Sequence, residues 1–242
     1  QGLAESLEAY IRVARRFPSY PIMMGIANVT ELIDADSIGV NAVLTSMAVE
    51  AGASLLLVTE ESWKARGSVA ETRIASFMAS AAALQGSPPK DLALDLLVVK
   101  EKRPRGIVEE RPPERLVNVD RIVEHQRLDP AGYAKIQVVE GLVEACLYPH
   151  GSEKPRLCVR GGHGLSVVRV LCREAGITDP DHVSYLAYEA SKAEIAALLG
   201  RSYVQEEPLF IPVEERLKHL RRLYEDQDQQ QGKHSEHRRG SG

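Results

Sequence analysis

The chain has 242 residues, 44% of them hydrophobic, which is enough apolar surface to bury a core in one or two domains and too much for a disordered chain. Its formal net charge of -4 gives no reason to expect nucleic-acid binding, which normally shows a basic domain or stripe. No apolar run approaches the roughly 18 residues of a membrane span, and the amino terminus lacks the basic-then-apolar form of a signal peptide, so a cytoplasmic protein without a membrane partner is expected.

Residues 3–16 place Leu3, Leu7, Tyr10, Ile11 and Ala14 on one face of a helix that Phe17-Pro18 stops. Residues 21–26 are continuously apolar up to Gly25, as a parallel strand covered on both faces would be. The exit Ala27-Asn28-Val29-Thr30-Glu31 reads as a loop that continues through Asp34 and Asp36. Val40, Val43, Leu44, Met47, Ala48 and Ala51 then mark a helix capped by Asp36 or Ser37 and ended by Gly52. A second apolar strand over 54–58 runs into Thr59-Glu60-Glu61. The two strand ends share one rim, the side on which parallel α/β architectures bind ligands.

Ser68 caps a helix over 68–84, and 92–99 reads as a further strand. Residues 104–115 form a linker, rich in Pro, Arg and Glu and without a core-facing period. A smaller domain is expected over 116–225. It begins with a hairpin whose strands flank Glu140-Gly141 and continues with a strand at 157–159, helices over 165–175 and 181–199, a short strand at 203–205 and a charged helix over 213–224. Residues 226–242 hold nothing apolar and read as a disordered tail, in which His234 and His237 are solvated.

Chemistry-bearing residues each have a structural reading beside the functional one. Asn28 offers a donor pair and an acceptor to a heterocycle, yet Asn is also common in turns. The carboxylates of Asp34, Asp36, Glu60 and Glu61 near the rim can pair with a guanidine-like edge, act as bases or hold Mg²⁺, and loop solvation or helix capping explains them equally. Arg160-Gly161-Gly162-His163-Gly164 before a helix has the form of an anion-binding loop or of a tight turn, and lacks the P-loop Lys-Ser/Thr signature. His182 reads as a helix cap, Tyr185 and Tyr188 as packing residues, and Lys192 with Glu194 as a solvated helix face. Cys146, Cys158 and Cys172 are odd in number and form no CxxC pair, which reads as buried thiols in a reducing compartment.

The stretch GIANVTEL followed by VNAVLTSMAVEAGASLLLV resembles the seventh and eighth strand region of the pterin-binding barrels, the dihydropteroate synthases and the methyltetrahydrofolate–corrinoid methyltransferases. Gly25, Asn28, Val29, Asn41, Met47, Ala48, Ala51 and Gly52 fall into step with the methyltransferase pattern. The resemblance implies that Asn28 contacts a pterin ring, with Thr30, Glu60 and Asp34 as further substrate-binding candidates on the rim. Ala27-Asn28-Val29 and Val58-Thr59-Glu60 stand where the synthases carry basic residues, so the synthase mechanism does not transfer directly.

Over nearly its whole length the chain is similar to the archaeal dihydropteroate synthase-like proteins. The tail-domain resemblance rests on Leu128-Asp129-Pro130-Ala131-Gly132-Tyr133 and on His182-Val183-Ser184-Tyr185-Leu186, continuing through Lys192-Ala193-Glu194 to Tyr203-Val204-Gln205-Glu206. What it implies is an α/β chain: residues 1–103 as the carboxyl-terminal portion of a pterin-binding (β/α)₈ TIM barrel, followed by a small α+β domain. Because the chain opens on Gln1 in the middle of that pattern, an upstream portion of the barrel is expected to be missing.

The implied activity belongs to folate or methanopterin cofactor synthesis. It condenses a pterin methyl diphosphate with an aryl amine, both small-molecule partners, in an enzyme that forms a homodimer. A pterin-dependent methyltransferase and a non-catalytic pterin-binding or assembly subunit are the alternatives. The methyltransferase reading draws on the Asn-Val-Thr exit.

Overall fold

The computed structural model describes residues 2–103, 114–120, 128–212, 214, 215, 217 and 218. The tail over 226–242, most of the linker and most of the helix expected over 213–224 lie outside the described residues. The chain divides into two compact units, Gln1–Val117 and Asn118–Gly242.

In the first unit, α1 (Leu3–Arg16) precedes β1 (Ile22–Gly25), α2 (Ala27–Leu32), α3 (Ser37–Glu50), β2 (Ala53–Leu57), a 3₁₀ turn at Trp63–Ala65 and α4 (Ser68–Gln85). β1 and β2 pair in parallel, with Met24 opposite Leu56. Met24, Ile26 and Ala48 form the buried centre, and Leu7, Tyr10, Leu44 and Leu56 pack on it. Small side chains let α3 and α4 approach closely: Ser37, Asn41, Thr45 and Ala48 are buried on one helix, Ser68, Thr72, Ala75, Ala79 and Ala82 on the other.

The second unit holds β3 (Tyr133–Val139), β4 (Leu142–Tyr148), β5 (Leu157–Gly161), α5 (Gly164–Ala175) and α6 (Pro180–Leu198). The sheet is antiparallel in the order β3-β4-β5. Glu140 and Gly141 link β3 to β4 with φ of 53° and 77°, the two positive values that a tight primed turn requires. Along β3 the side chains alternate, Ala134 and Ile136 inward, Tyr133, Lys135 and Gln137 outward. Both helices cover the inner face, where Leu147, Leu171 and Leu186 are fully buried. Gly164 lets α5 meet α6, because a Cβ there would lie 2.4 Å from the Ala190 carbonyl oxygen.

Several expectations are corrected. The described residues form a two-stranded parallel sheet and a separate three-stranded antiparallel sheet, and no TIM barrel closes. Closure needs eight staggered strands, and the run over 92–99 that was expected to add one is not a strand. Asp91 and Ala93 adopt φ of 60° and 57°, and the Leu97 N–H donates to Asp95 Oδ1, so the chain turns locally instead of extending into a ladder. The exit after β1 is helix α2 and not a loop. Residues 203–205 are irregular rather than a strand, their place beside β3 being taken by a side-chain contact.

The cysteine reading also changes. Cys146 and Cys158, directly opposite each other on β4 and β5, are joined in a disulfide with a Cα–Cα distance of 4.0 Å. Only Cys172 is free, half-buried, with burial and then the nearby Asp129 charge raising its pKa above the ordinary thiol value. Among the described residues no helix is long and apolar enough to cross a membrane.

Candidate functional site

The four rim residues expected from the sequence occupy neighbouring segments of the first unit. Lys64 Nζ donates to the Ile33 carbonyl at 3.1 Å and pairs with Asp34 at 2.9 Å, and the Ser62 N–H donates to Glu31 at 3.1 Å, so the segment after β1 and the segment after β2 touch. Asn28 is exposed in the first turn of α2, its amide lying over Gly25, where a Cβ would stand 3.3 Å from Asn28 Nδ2. Thr30 is fully buried and donates to Asn41 Oδ1 at 2.8 Å. Asn41 Nδ2 in turn donates to Glu71 at 2.8 Å, which ties α2, α3 and α4 together through polar groups that satisfy one another. Glu60 accepts the Val69 N–H at 3.0 Å and so caps the start of α4. Among the described residues no three His, Cys, Asp or Glu side chains converge as a metal site, so the carboxylates read as Mg²⁺ ligands do not assemble one.

A second candidate site lies in the second unit. A cleft of about 800 Å³ runs along the free edge of β3, bordered by the start of α6 and by the segment after it. Its floor is set by Asp129. One carboxylate oxygen accepts the Ala131 N–H at 2.8 Å and the other meets His182 Nδ1 at 2.9 Å, while the Asp129 carbonyl accepts from His150 Nε2 at 2.8 Å. Burial pushes the Asp129 carboxyl up, but the His182 hydrogen bond, the Ala131 N–H and the two nearby imidazoles outweigh it and leave it below its ordinary value. An ionised Asp129 fixes the proton of His182 on Nδ1. His182 is 8% exposed and borders the cleft, and its Nε2 has no hydrogen-bond partner among the described residues. In the neutral imidazole it is an acceptor open to something that enters.

The wall opposite is a strap, residues 203–206, fastened by side chains. Gln205 does what a neighbouring strand would do: its Oε1 accepts the Ile136 N–H at 2.9 Å and its Nε2 donates to the Ala134 carbonyl at 3.3 Å and to Tyr185 Oη at 2.6 Å. Tyr185 donates onward to Glu206 at 3.0 Å. Burial raises the Tyr185 pKa to about 12, with Glu206 and Glu189 adding and the Gln205 bond opposing, so the hydroxyl stays protonated. Behind the strap, buried Glu189 accepts from Lys192 at 2.7 Å, from the Tyr203 hydroxyl at 2.6 Å and from the Glu206 N–H at 2.9 Å. Burial raises the Glu189 carboxyl, and these three donors bring it below its ordinary value.

Four sequence readings change here. His182 is no cap, since Asp179 caps α6 by accepting the Asp181 N–H, and Lys192 is inside rather than on a solvated face. Tyr185 lines the cleft. The glycine-rich segment before α5 holds an anion, but an internal one: Glu194 Oε2 accepts the Gly164 N–H at 2.7 Å. The Asp129–His182 contact joins residues 53 apart in sequence, and no periodic signal marks it. The two segments that supply it are the same ones on which the tail-domain resemblance rests.

Residues 128–206 match the PterinBD-DUF4346 family model. The match supports kinship with a pterin-binding family, and its bounds enclose every residue that borders the cleft. The chain is also 36% identical over 196 residues to an uncharacterized protein of Methanocaldococcus jannaschii; the similarity covers 79% of this chain and 36% of that protein, so the chain spans about a third of the relative's length. No solved structure matches the chain.

Proposed function

We propose that the chain acts in pterin chemistry of the dihydropteroate synthase-like kind, in which an aryl amine nitrogen attacks the methylene of a pterin methyl diphosphate. The C–N bond forms, the C–O bond breaks, diphosphate leaves with the electron pair and the amine gives up a proton. In such a reaction the protein's work is to position the ring and to receive charge and proton. The observation that carries this reading is the coincidence of the pterin-family match with the cleft: Asp129, His182, Tyr185, Gln205 and Glu206 lie within 128–206 and all border it. His182 Nε2, backed by Asp129, is an acceptor suited to positioning the ring. Asn28 is the pterin contact that the resemblance carries for the first unit, and its exposed amide is free to serve. Thr30, with its hydroxyl committed to Asn41, acts by holding α2 in place.

The methyltransferase reading keeps one observation in its favour, the Asn28-Val29-Thr30 exit without basic residues. Incubating the full-length protein with pterin methyl diphosphate and an aryl amine, and separately with a methylated pterin and a corrinoid, separates the two. Diphosphate release that depends on the amine supports the synthase-like reading. Methyl transfer alone replaces it with the second, and turnover in neither assay leaves a binding subunit.

A further inference from the structure

Of the donor side chains lining the second unit's cleft, Lys135 sets its ammonium against the Tyr148 ring at 5.1 Å and Gln137 donates to Glu144, and two acceptors stay open. His182 Nε2 is one, since Nδ1 already meets the Asp129 carboxylate. The carboxylate of Glu206 is another: it receives the Tyr185 hydroxyl and, among the described residues, has no cationic partner. The donor hydrogens of Tyr185 and Gln205 are used by their bonds to each other, to Glu206 and to the β3 edge. Ala134, Ile136 and Val204 add apolar surface to the lining. An occupant that satisfies such a surface presents N–H donors on a flat, weakly hydrated ring.

The backbone gives a second, independent sign. Glu206 is not a glycine and yet adopts φ of 71°, a left-handed conformation that side-chain-bearing residues rarely adopt. It is held there from both sides, by its own N–H on Glu189 Oε2 and by the Tyr185 hydroxyl on its carboxylate. A buried network of Glu189, Lys192 and Tyr203 stands behind that restraint. Where a strained residue is over-determined in this way at the mouth of a cleft, the arrangement serves the direction in which its side chain is presented.

We propose that this cleft binds an amino-substituted nitrogen heterocycle of the pterin class, whose ring N–H and exocyclic amino group donate to His182 Nε2 and to the Glu206 carboxylate. The proposal rests on the pterin reading above and deepens it by assigning the ring to the second unit. Donation by two adjacent N–H groups is what separates a pterin edge from a ring that offers carbonyls there.

The test is a fluorescence titration of the intact chain with 6-hydroxymethylpterin and, in parallel, with lumazine, which carries oxygen in place of the 2-amino group. Saturable pterin binding is expected, weakened about tenfold or more for lumazine and for the variants Glu206→Gln and His182→Asn, on the scale of one charge-assisted or buried hydrogen bond. Glu206 is exposed, so Glu206→Gln reads the site even if His182→Asn perturbs folding, which circular dichroism monitors. Pterin binding that Glu206→Gln leaves within twofold and Asn28→Ala abolishes places the ring on the first unit, overturning this inference while the function stands. Lumazine binding as tightly as the pterin overturns the assignment of donors. No saturable pterin binding anywhere on the folded chain overturns both.

Discussion

The two units close their interiors to different degrees. In the second, a single cluster includes Leu147, Leu171, Leu186, Val143 and Val168, all at most 1% exposed, with two helices laid across one face of a three-stranded sheet. In the first, the buried cluster is three residues, while Leu55 and Leu57 of β2, Met23 of β1 and Phe77 of α4 are all more than half exposed. The first unit also buries the hydroxyls of Thr45, Ser68 and Thr72 without a hydrogen-bond partner, whereas the buried carboxylates of Asp129 and Glu189 in the second have theirs and His182 leaves only the cleft-side ring nitrogen open. Apolar burial and polar satisfaction thus go together in the second unit, and neither is complete in the first. A precisely aimed acceptor such as His182 Nε2 depends on the first kind of surroundings.

The largest expected effect comes from Gly132→Ala. Gly132 adopts φ of 120°, and a Cβ there would fall 2.1 Å from the Tyr148 carbonyl oxygen, a backbone clash that no side-chain movement relieves. The second unit should lose its cooperative unfolding transition while the helical signal of the first persists; equal loss of both would break the contrast between the units.

Truncation sharpens the contrast further. Leu186→Ala should cost about 2–5 kcal/mol in denaturant unfolding, as for other fully buried leucines, whereas Leu55→Ala, at a position 53% exposed, should cost no more than about 0.5 kcal/mol.

Acid should act on the second unit through Asp129 and Glu189. Both carboxyls lie below their ordinary values in the folded state, so folding is favoured above the unfolded-state pKa near 4 and the contribution is lost as pH falls through the lower folded values. A pH series of unfolding midpoints for Asp129→Asn should show a lower midpoint at neutral pH, by about 1–3 kcal/mol, and a flatter fall below pH 4 than the parent chain. The smallest effect belongs to Thr45→Val, which removes a hydroxyl already lacking a partner. Stability should stay level or rise by up to about 1 kcal/mol, and a clear loss would show that the hydroxyl has a partner after all.

Local signals made much of this architecture readable in the sequence. The period of apolar residues in α1 and the small and apolar run of α4 mark helices, the positive-φ pair Glu140-Gly141 marks the hairpin, and Gly52 and Gly86 mark helix ends. The misreadings arise where the deciding contact is remote. Residues 92–99 have strand composition, but whether they extend depends on a ladder partner, and Asp91 and Ala93 turn instead. Cys146 and Cys158 become neighbours only once β4 and β5 are in register. Resemblance in the first unit points to Asn28, Thr30, Asp34 and Glu60, of which Thr30, Asp34 and Glu60 have internal structural partners. The cleft is assembled from segments that the sequence singles out, yet the pairing of Asp129 with His182 and the strap fastened by Gln205 appear only in three dimensions.

The most direct measurement is a chemical-shift map of the isotopically labelled intact chain during titration with 6-hydroxymethylpterin. Shifts clustered on Asp129, His182, Tyr185, Gln205 and Glu206, with the His182 ring nitrogens among the most perturbed, are the predicted result. Shifts confined to Asn28 and its neighbours, or absent at saturating pterin, would contradict the cleft as the seat of function.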